Sequence, residues 1–210
     1  MEMVSQILIF FSPTQTTRKV LYAVADGTSI GITEERDLTP PKAAGEETTE
    51  INRELAIIGA PVYGGRIAVE AVKRLRSIRG NETPAVVIAV YGNREYEDAL
   101  LELRDIAVDA GFVPVAAAAF IGEHSFSSVE EPIACGRPDT ADLRTARAFG
   151  QSIRKKLDDL EVFLPDAPLD VPGQRPYKQF QPRTGISPVT KTESCGFCGT
   201  CVEVCPVGAI

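Results

Sequence analysis

Phe11-Ser12-Pro13-Thr14-Gln15-Thr16-Thr17 lies between an apolar run, Ile7 to Phe11, and a helical pattern, Arg18 to Asp26. The run shows no polar alternation and reads as a strand buried on both faces. A turn-favouring proline and several hydroxyls then sit where strand passes into helix. The first N–H groups of a helix have no intrahelical acceptor and, with the helix dipole, attract anions. The stretch therefore predicts a phosphate cradle in a strand–turn–helix unit. The plain alternative is a hydroxyl-rich helix cap that holds no ligand.

Outward from the cradle, strand and helix patterns alternate. The first helix carries Val20, Leu21, Val24 and Ala25 on one face and is expected to stop at Gly27. Ile32 to Leu38 is charged enough to read as an edge strand. After Pro40 and Pro41 a Glu- and Thr-rich connection leads to a second apolar run, Leu55 to Gly59, and to Ala60-Pro61-Val62-Tyr63-Gly64-Gly65-Arg66. Ala68, Val72, Leu75 and Ile78 fall at helical spacing, with Arg74, Arg76 and Arg79 where the helix dipole favours cations. Ala85 to Val90 is a further strand, running into Tyr91-Gly92-Asn93-Arg94. A helix with Ala99, Leu100, Leu103, Ile106, Ala107 and Ala110 follows, stopped by Gly111. Phe112 to Ile121 reads as a fifth strand, and Gly122 to Pro138 as a loop long enough for function. Asp139 to Asp142 caps a last helix bearing Leu143, Ala146, Phe149, Ile153, Leu157 and Leu160. Continuous apolar strands joined by helices mean a parallel α/β sheet covered on both faces, with ligands outside the carboxyl ends of its strands.

With those loops in place, Ser12 to Thr17 resembles the phosphate loop of the flavodoxin family. The family pattern is Ser/Thr-x-Thr-Gly-x-Thr, and Gln15 stands where the family usually has glycine. The resemblance covers roughly residues 5 to 160. It implies a doubly wound five-stranded parallel sheet of order 2-1-3-4-5 that binds FMN. The cofactor-binding residues carried over are Ser12, Thr14, Gln15, Thr16 and Thr17, then Pro61, Val62, Tyr63, Gly64 and Gly65, then Tyr91, Gly92, Asn93 and Arg94. Tyr63 and Tyr91 are candidates to cover the flavin ring, or simply tyrosines closing strand ends. Gly64, Gly65 and Gly92 allow close backbone approach. His124, the single histidine, reads either as a proton relay or lid residue or as a solvated loop side chain. Cys135 reads as a free thiol without an assignable base. Neither Gly-x-x-x-x-Gly-Lys-Ser/Thr nor Gly-x-Gly-x-x-Gly follows a strand, so ATP and NAD sites find no support.

Composition changes after Leu160. Pro165, Pro168, Pro172, Pro176, Pro182 and Pro188 forbid regular helix and predict a linker. Phe163, Tyr177 and Phe180 favour a strap docked on the first domain. Then comes Cys195-Gly196-Phe197-Cys198-Gly199-Thr200-Cys201-Val202-Glu203-Val204-Cys205-Pro206, the C-x₂-C-x₂-C-x₃-C-P run of bacterial-type ferredoxins. Zinc sites separate two cysteine pairs by a longer interval, so Cys195, Cys198, Cys201 and Cys205 read as metal ligands of [4Fe-4S] clusters. In two-cluster ferredoxins the fourth cysteine serves the other cluster. A second cysteine run is therefore expected beyond Ile210, and the chain reads as a partial product of a longer one.

The expected division is 1–160 FMN-binding domain, 161–192 linker or strap, and 193–210 partial ferredoxin domain. The whole resembles the fusion family in which a flavodoxin-like domain precedes a two-cluster ferredoxin. That resemblance implies an electron-transfer protein passing electrons between FMN, the clusters and a redox partner protein or enzyme. Two other readings stay open: a flavin-dependent oxidoreductase acting on a small acceptor such as a quinone, and a scaffold that has lost FMN at Gln15. A net charge of -7 argues against nucleic acid as the main partner. No stretch reaches the ~18 apolar residues of a membrane span. The N-terminus has no basic region ahead of Ile7, and four of the five cysteines crowd the tail instead of forming a disulfide scaffold. A cytoplasmic protein is the expectation.

Overall fold

In the computed structural model, residues 5–41, 49–52, 55–159, 169–179 and 189–209 are described. Strands β1 (Gln6–Phe10), β2 (Ile32–Asp37), β4 (Ala56–Tyr63), β7 (Thr83–Tyr91) and β8 (Phe112–Ile121) form one parallel sheet of order β2-β1-β4-β7-β8. Numbered as the long strands alone, this is the expected order 2-1-3-4-5. The short β5 (Arg66–Ile67) returns antiparallel on β4, and β3 (Thr49–Ile51) pairs with β6 (Ile78–Gly80) in a separate two-stranded sheet. Helices α1 (Thr16–Thr28), α2 (Val69–Leu75), α3 (Ala99–Asp109) and α4 (Thr140–Asp159) cover the large sheet, and α5 (Thr200–Val204) lies in the cysteine segment. Among the described residues no helix is long and apolar enough to cross a membrane.

Strand alternation sends neighbours to opposite cores. Ile7 and Ile9 join Ile58, Val87, Leu75, Leu100 and Leu103 on the α2–α3 face. Leu8 and Phe10 join Ile57, Ile88, Leu21, Val24 and Ile153 on the α1–α4 face. Every residue of β1 is buried, which explains its unbroken apolar run. The charged β2 lies at one edge, as its composition predicts. At the other edge the pairing shifts between Ala85–Pro114 and Val86–Ala116, so β8 bulges beside a proline that cannot donate to the ladder.

Two local expectations give way. Gly27 does not end α1. The helix runs through Thr28 to a left-handed Ser29, and Gly27 meets α4 side by side with Gly150. Buried Gln6 helps finish that helix, donating to the carbonyls of Ala25 and Ile30 while accepting from the Thr28 hydroxyl. Nor does Ile78 extend α2. That helix stops at Leu75, and Ile78 opens β6, whose partner β3 lies far upstream in the chain. Helical spacing could not register the long-range pairing. Gly111, by contrast, ends α3 as expected, with φ of 86°. Asp139 caps α4, accepting from the N–H groups of Ala141 and Asp142 at 2.8 and 3.0 Å. Leu160, Phe163 and Phe180 lie outside the described residues.

Candidate functional site

The turn after β1 is held from inside. Ser12 is 1% exposed; its N–H donates to Thr39 Oγ1 at 2.8 Å and its Oγ accepts from the Arg18 N–H at 3.1 Å. Its hydroxyl thus meets one of the first-turn N–H groups of α1 instead of facing the cleft. Gln15 is exposed and takes the left-handed conformation, φ 61° and ψ 4°, with its side-chain amide donating back to the Ser12 carbonyl at 3.1 Å. Glycine adopts that conformation without a Cβ penalty, which explains the family preference at this position. Here glutamine accepts the same backbone geometry. Thr14 and Thr16 face one another, Oγ1 to Oγ1, at 3.0 Å.

Beyond this turn the carboxyl ends of β1, β4, β7 and β8 enclose a cleft of about 340 Å³. Of the residues expected to bind a cofactor, Thr14, Thr16, Thr17, Pro61, Val62, Tyr63, Gly64, Gly65, Tyr91, Gly92 and Arg94 line it together. Ser12, Gln15 and Asn93 do not line it. Gly64 and Gly65, at φ 62° and 83°, are the two central residues of the β4–β5 hairpin, where a tight turn requires positive φ at both. A wider hollow of about 760 Å³ lies between α1 and α4. It contains none of these loops.

Tyr63 stands at the rim, 46% exposed, while nearby protein burial raises its phenol pKa. Tyr91 is half-buried and packs edge-on to Tyr96, with centroids 5.4 Å apart and ring planes at 71°. His124, left open on sequence grounds, also lines the cleft. Its Nδ1 accepts the Phe126 N–H at 3.0 Å, so the neutral ring carries its proton on Nε2. The imidazole fills the space beside Gly92: a Cβ there would lie 2.3 Å from His124 Cδ2. Cys135 is an exposed free thiol in the same loop.

Sequence reasoning missed Lys178, which lines the cleft from a distant segment. Residues 169–179 lie along α3. Asp98 Oδ1 accepts the Gln174 N–H at 2.8 Å, and Oδ2 accepts the Lys178 N–H at 2.6 Å. Lys178 Nζ pairs with Glu97 at 2.7 Å, and Val171 packs on the α2–α3 core. The Arg66 guanidinium stacks 4.6 Å from the Tyr177 ring centroid and donates to the Lys178 carbonyl at 2.6 Å. Burial, then the bond to Asp105, pushes the Tyr177 phenol up to about 12. The one signal that existed was Tyr177 itself; its seat depends on Asp98 and Asp105, some seventy residues upstream.

The backbone N–H of Lys178, then that of Gln174, hold the Asp98 carboxyl below its ordinary value. A depressed carboxylate pKa contributes stability above the unfolded value, about 3.9, and loses it as pH falls through the folded value. Cleavage of the strap by an acid-active protease is therefore expected to accelerate below about pH 4. Asp98→Asn is expected to show faster cleavage already at neutral pH. Equal cleavage of parent and variant across the range would remove Asp98 as the anchor.

Residues 188–210 match the family described as 4Fe-4S binding domain. Among solved structures, oxidised flavodoxin 1 from Bacillus cereus aligns with a TM-score of 0.52 at 17% identity, over 72% of this chain and 97% of its own. Rubredoxin oxygen:oxidoreductase from Desulfovibrio gigas aligns with a TM-score of 0.52 at 14% identity, over 74% of this chain and 36% of its own. The chain joins a flavodoxin-like fold to a ferredoxin-type segment. The curated proteins yield no match.

Among the described residues no disulfide joins Cys195, Cys198, Cys201 or Cys205 in the ferredoxin-type segment. Cys205 is buried, its sulfur accepting the Ala209 N–H at 3.3 Å, while Cys198 and Cys201 are exposed. A hydrogen bond from the Thr200 side chain lowers the Cys198 pKa, favouring the thiolate that iron requires. The donor set fits a cluster in kind. Among the described residues, however, no three His, Cys, Asp or Glu side chains gather as a metal site, so ligand convergence would accompany cluster assembly.

Proposed function

We propose that this protein transfers electrons, with FMN in the flavodoxin-like cleft and a [4Fe-4S] cluster on the cysteine segment exchanging them with a redox partner protein. The observation that carries the reading is the pairing, in one chain, of a cleft built from four strand-end loops with a 4Fe-4S-type segment. When bound, FMN supplies two-electron uptake in single steps. Thr14, Thr16 and Thr17, with the first-turn N–H groups of α1, would hold its phosphate. Ser12 and Gln15 would shape the turn that presents them. Tyr63 and Tyr91 would cover the ring, Gly64, Gly65 and Gly92 would bring backbone close, and Arg94 would add positive charge, while the Lys178 ammonium is paired with Glu97. Cys195, Cys198, Cys201 and Cys205 would supply thiolates to iron. The proposed division is 1–160 for flavin, 161–192 for the strap and 193–210 for the cluster, and the proposed location is the cytoplasm.

The test is the absorption spectrum of anaerobically purified protein, together with FMN titration of the parent chain and Gln15→Gly. The expected result is flavin bands over a broad iron–sulfur shoulder. Gln15→Gly should bind FMN at least as tightly. It should also be more stable by about 0.5–1 kcal/mol, the left-handed cost of a side chain less the extra unfolded-state entropy of glycine. A parent chain that stays colourless with FMN and iron would overturn the reading. Binding only by Gln15→Gly would make glutamine the residue that empties the pocket.

A further inference from the structure

Arg74, in the last turn of α2, is 3% exposed. Sequence reasoning assigns it to the helix dipole, yet its guanidinium reaches across the chain. Nη1 donates to the carbonyls of Leu38, Thr39 and Pro40 at 2.6, 2.6 and 3.0 Å, and Nη2 donates to the Pro206 carbonyl. Its Cζ lies 5.4 Å from the centroid of the Phe11 ring. Four carbonyls and an aromatic face solvate this buried cation, and Nε finds no acceptor among the described residues. Losing the Pro206 carbonyl would leave more of a buried charge unsatisfied, so the contact has consequence for both segments.

Beside that contact is an apolar recess of about 290 Å³. Phe11, Pro13, Tyr63 and Val69 line it from the flavodoxin-like part, and Pro206 and Val207 from the cysteine segment. Tyr63 and Pro13 also line the cleft, so the recess adjoins its rim. Tyr63, Val69 and Val207 are each roughly half exposed, at 46%, 46% and 49%. Those exposures are reached with Pro206 and Val207 already in place, and an apolar face gains from the cover that the segment gives it.

We propose that this face is the docking seat of the chain's own cysteine segment. Arg74 is its positioning residue, holding Pro206, and with it Cys205, at the Tyr63 rim of the cleft. The purpose of the seat rests on the electron-transfer reading: the cluster-bearing segment is kept against the flavin-binding part, where a free tail would hold it at no defined distance. The seat itself depends on neither cofactor.

Hydrogen exchange on the full chain, read peptide by peptide, tests it in the parent, Arg74→Gln, Arg74→Lys and Val207→Asp. Amides of 205–209 are expected to be protected in the parent. Arg74→Gln and Val207→Asp should each speed their exchange at least tenfold, while peptides from β1 and β4 keep their parent rates. Arg74→Lys keeps the charge but not the fork and should restore only part of the protection. Val207→Asp guards against local unfolding at Leu38–Pro40, because it leaves the Arg74 contacts with those carbonyls untouched. Free-peptide exchange in the parent, or protection unchanged in both Arg74→Gln and Val207→Asp, would overturn the proposal. Protection that grows with protein concentration would overturn it too, by making a second copy the occupant. These rates are read with or without bound cofactors, whereas failure of the electron-transfer reading shows as absent flavin and iron–sulfur bands.

Discussion

Gly150→Ala is expected to destabilise the protein by about 3 kcal/mol, the upper part of the usual range for overpacking. In an isolated helix the same change would stabilise by about 1 kcal/mol, because alanine is the better helix former. The sign therefore reports on the α1–α4 crossing. A Cβ on Gly150 would lie 2.1 Å from the Val24 carbonyl oxygen and 2.9 Å from the Gly27 Cα. A Cβ on Gly27 would lie 2.0 Å from the Arg147 carbonyl oxygen. Both obstacles are backbone, so no rotamer change relieves them and the helices must separate. Separation would loosen Leu21, Val24, Ala146 and Ile153 from one core. For a chain of this size the loss corresponds to a fall in melting temperature of roughly 6–12 °C. Gly27→Ala should behave alike. Unchanged or higher melting temperatures in both would mean that the two helices do not approach as described.

Glu102→Ala is expected to cost about 3–5 kcal/mol, the usual consequence of removing one partner from a buried ion pair. Glu102 is 6% exposed and receives three hydrogen bonds: from Arg66 Nε at 2.9 Å, from Arg66 Nη2 at 2.6 Å and from the Ile67 N–H at 2.8 Å. The bonds to Glu102, foremost, raise the Arg66 pKa; when Glu102 goes that raise is lost, but the guanidinium stays charged because arginine's ordinary value lies far above neutral pH. Arg66 also holds the Lys178 carbonyl and stacks on Tyr177, so the variant should release the strap as well as weaken the β5–α3 contact. Urea unfolding measures the first effect and strap proteolysis the second. The double variant Arg66→Met with Glu102→Leu should recover most of the loss, since paired apolar replacement leaves no stranded charge. A Glu102→Ala chain as stable as the parent would show that water already screens the pair.

The α/β alternation and the parallel sheet were legible along the chain, and the strand order came only with the resemblance to flavodoxins. Ile7–Phe11 and Ala85–Val90 are apolar without alternation because both of their faces are buried, and β2 is charged because it lies at an edge. The cysteine run was legible for a different reason: its ligand spacing is local and depends on no distant contact. Gly27 shows where such legibility stops. A glycine near a helix end signals a stop in sequence, but the close approach of Gly150 supplies another use for a missing Cβ. Arg74 repeats the lesson, since dipole logic sees the last turn of α2 but not the carbonyls of Leu38–Pro40 and Pro206.

The cleft divides the same way. Local turn chemistry was enough to mark the loops after β1, β4 and β7, because glycine, proline and hydroxyl side chains act on their own backbone. Tertiary structure alone decided which side chains face the space between them. It turned the Ser12 hydroxyl inward to Arg18, set His124 against Gly92, and brought Lys178 to the rim through hydrogen bonds on Asp98. Those choices follow from contacts between segments tens of residues apart, whose closure is governed by the packed sheet and helices and leaves no periodic trace in sequence.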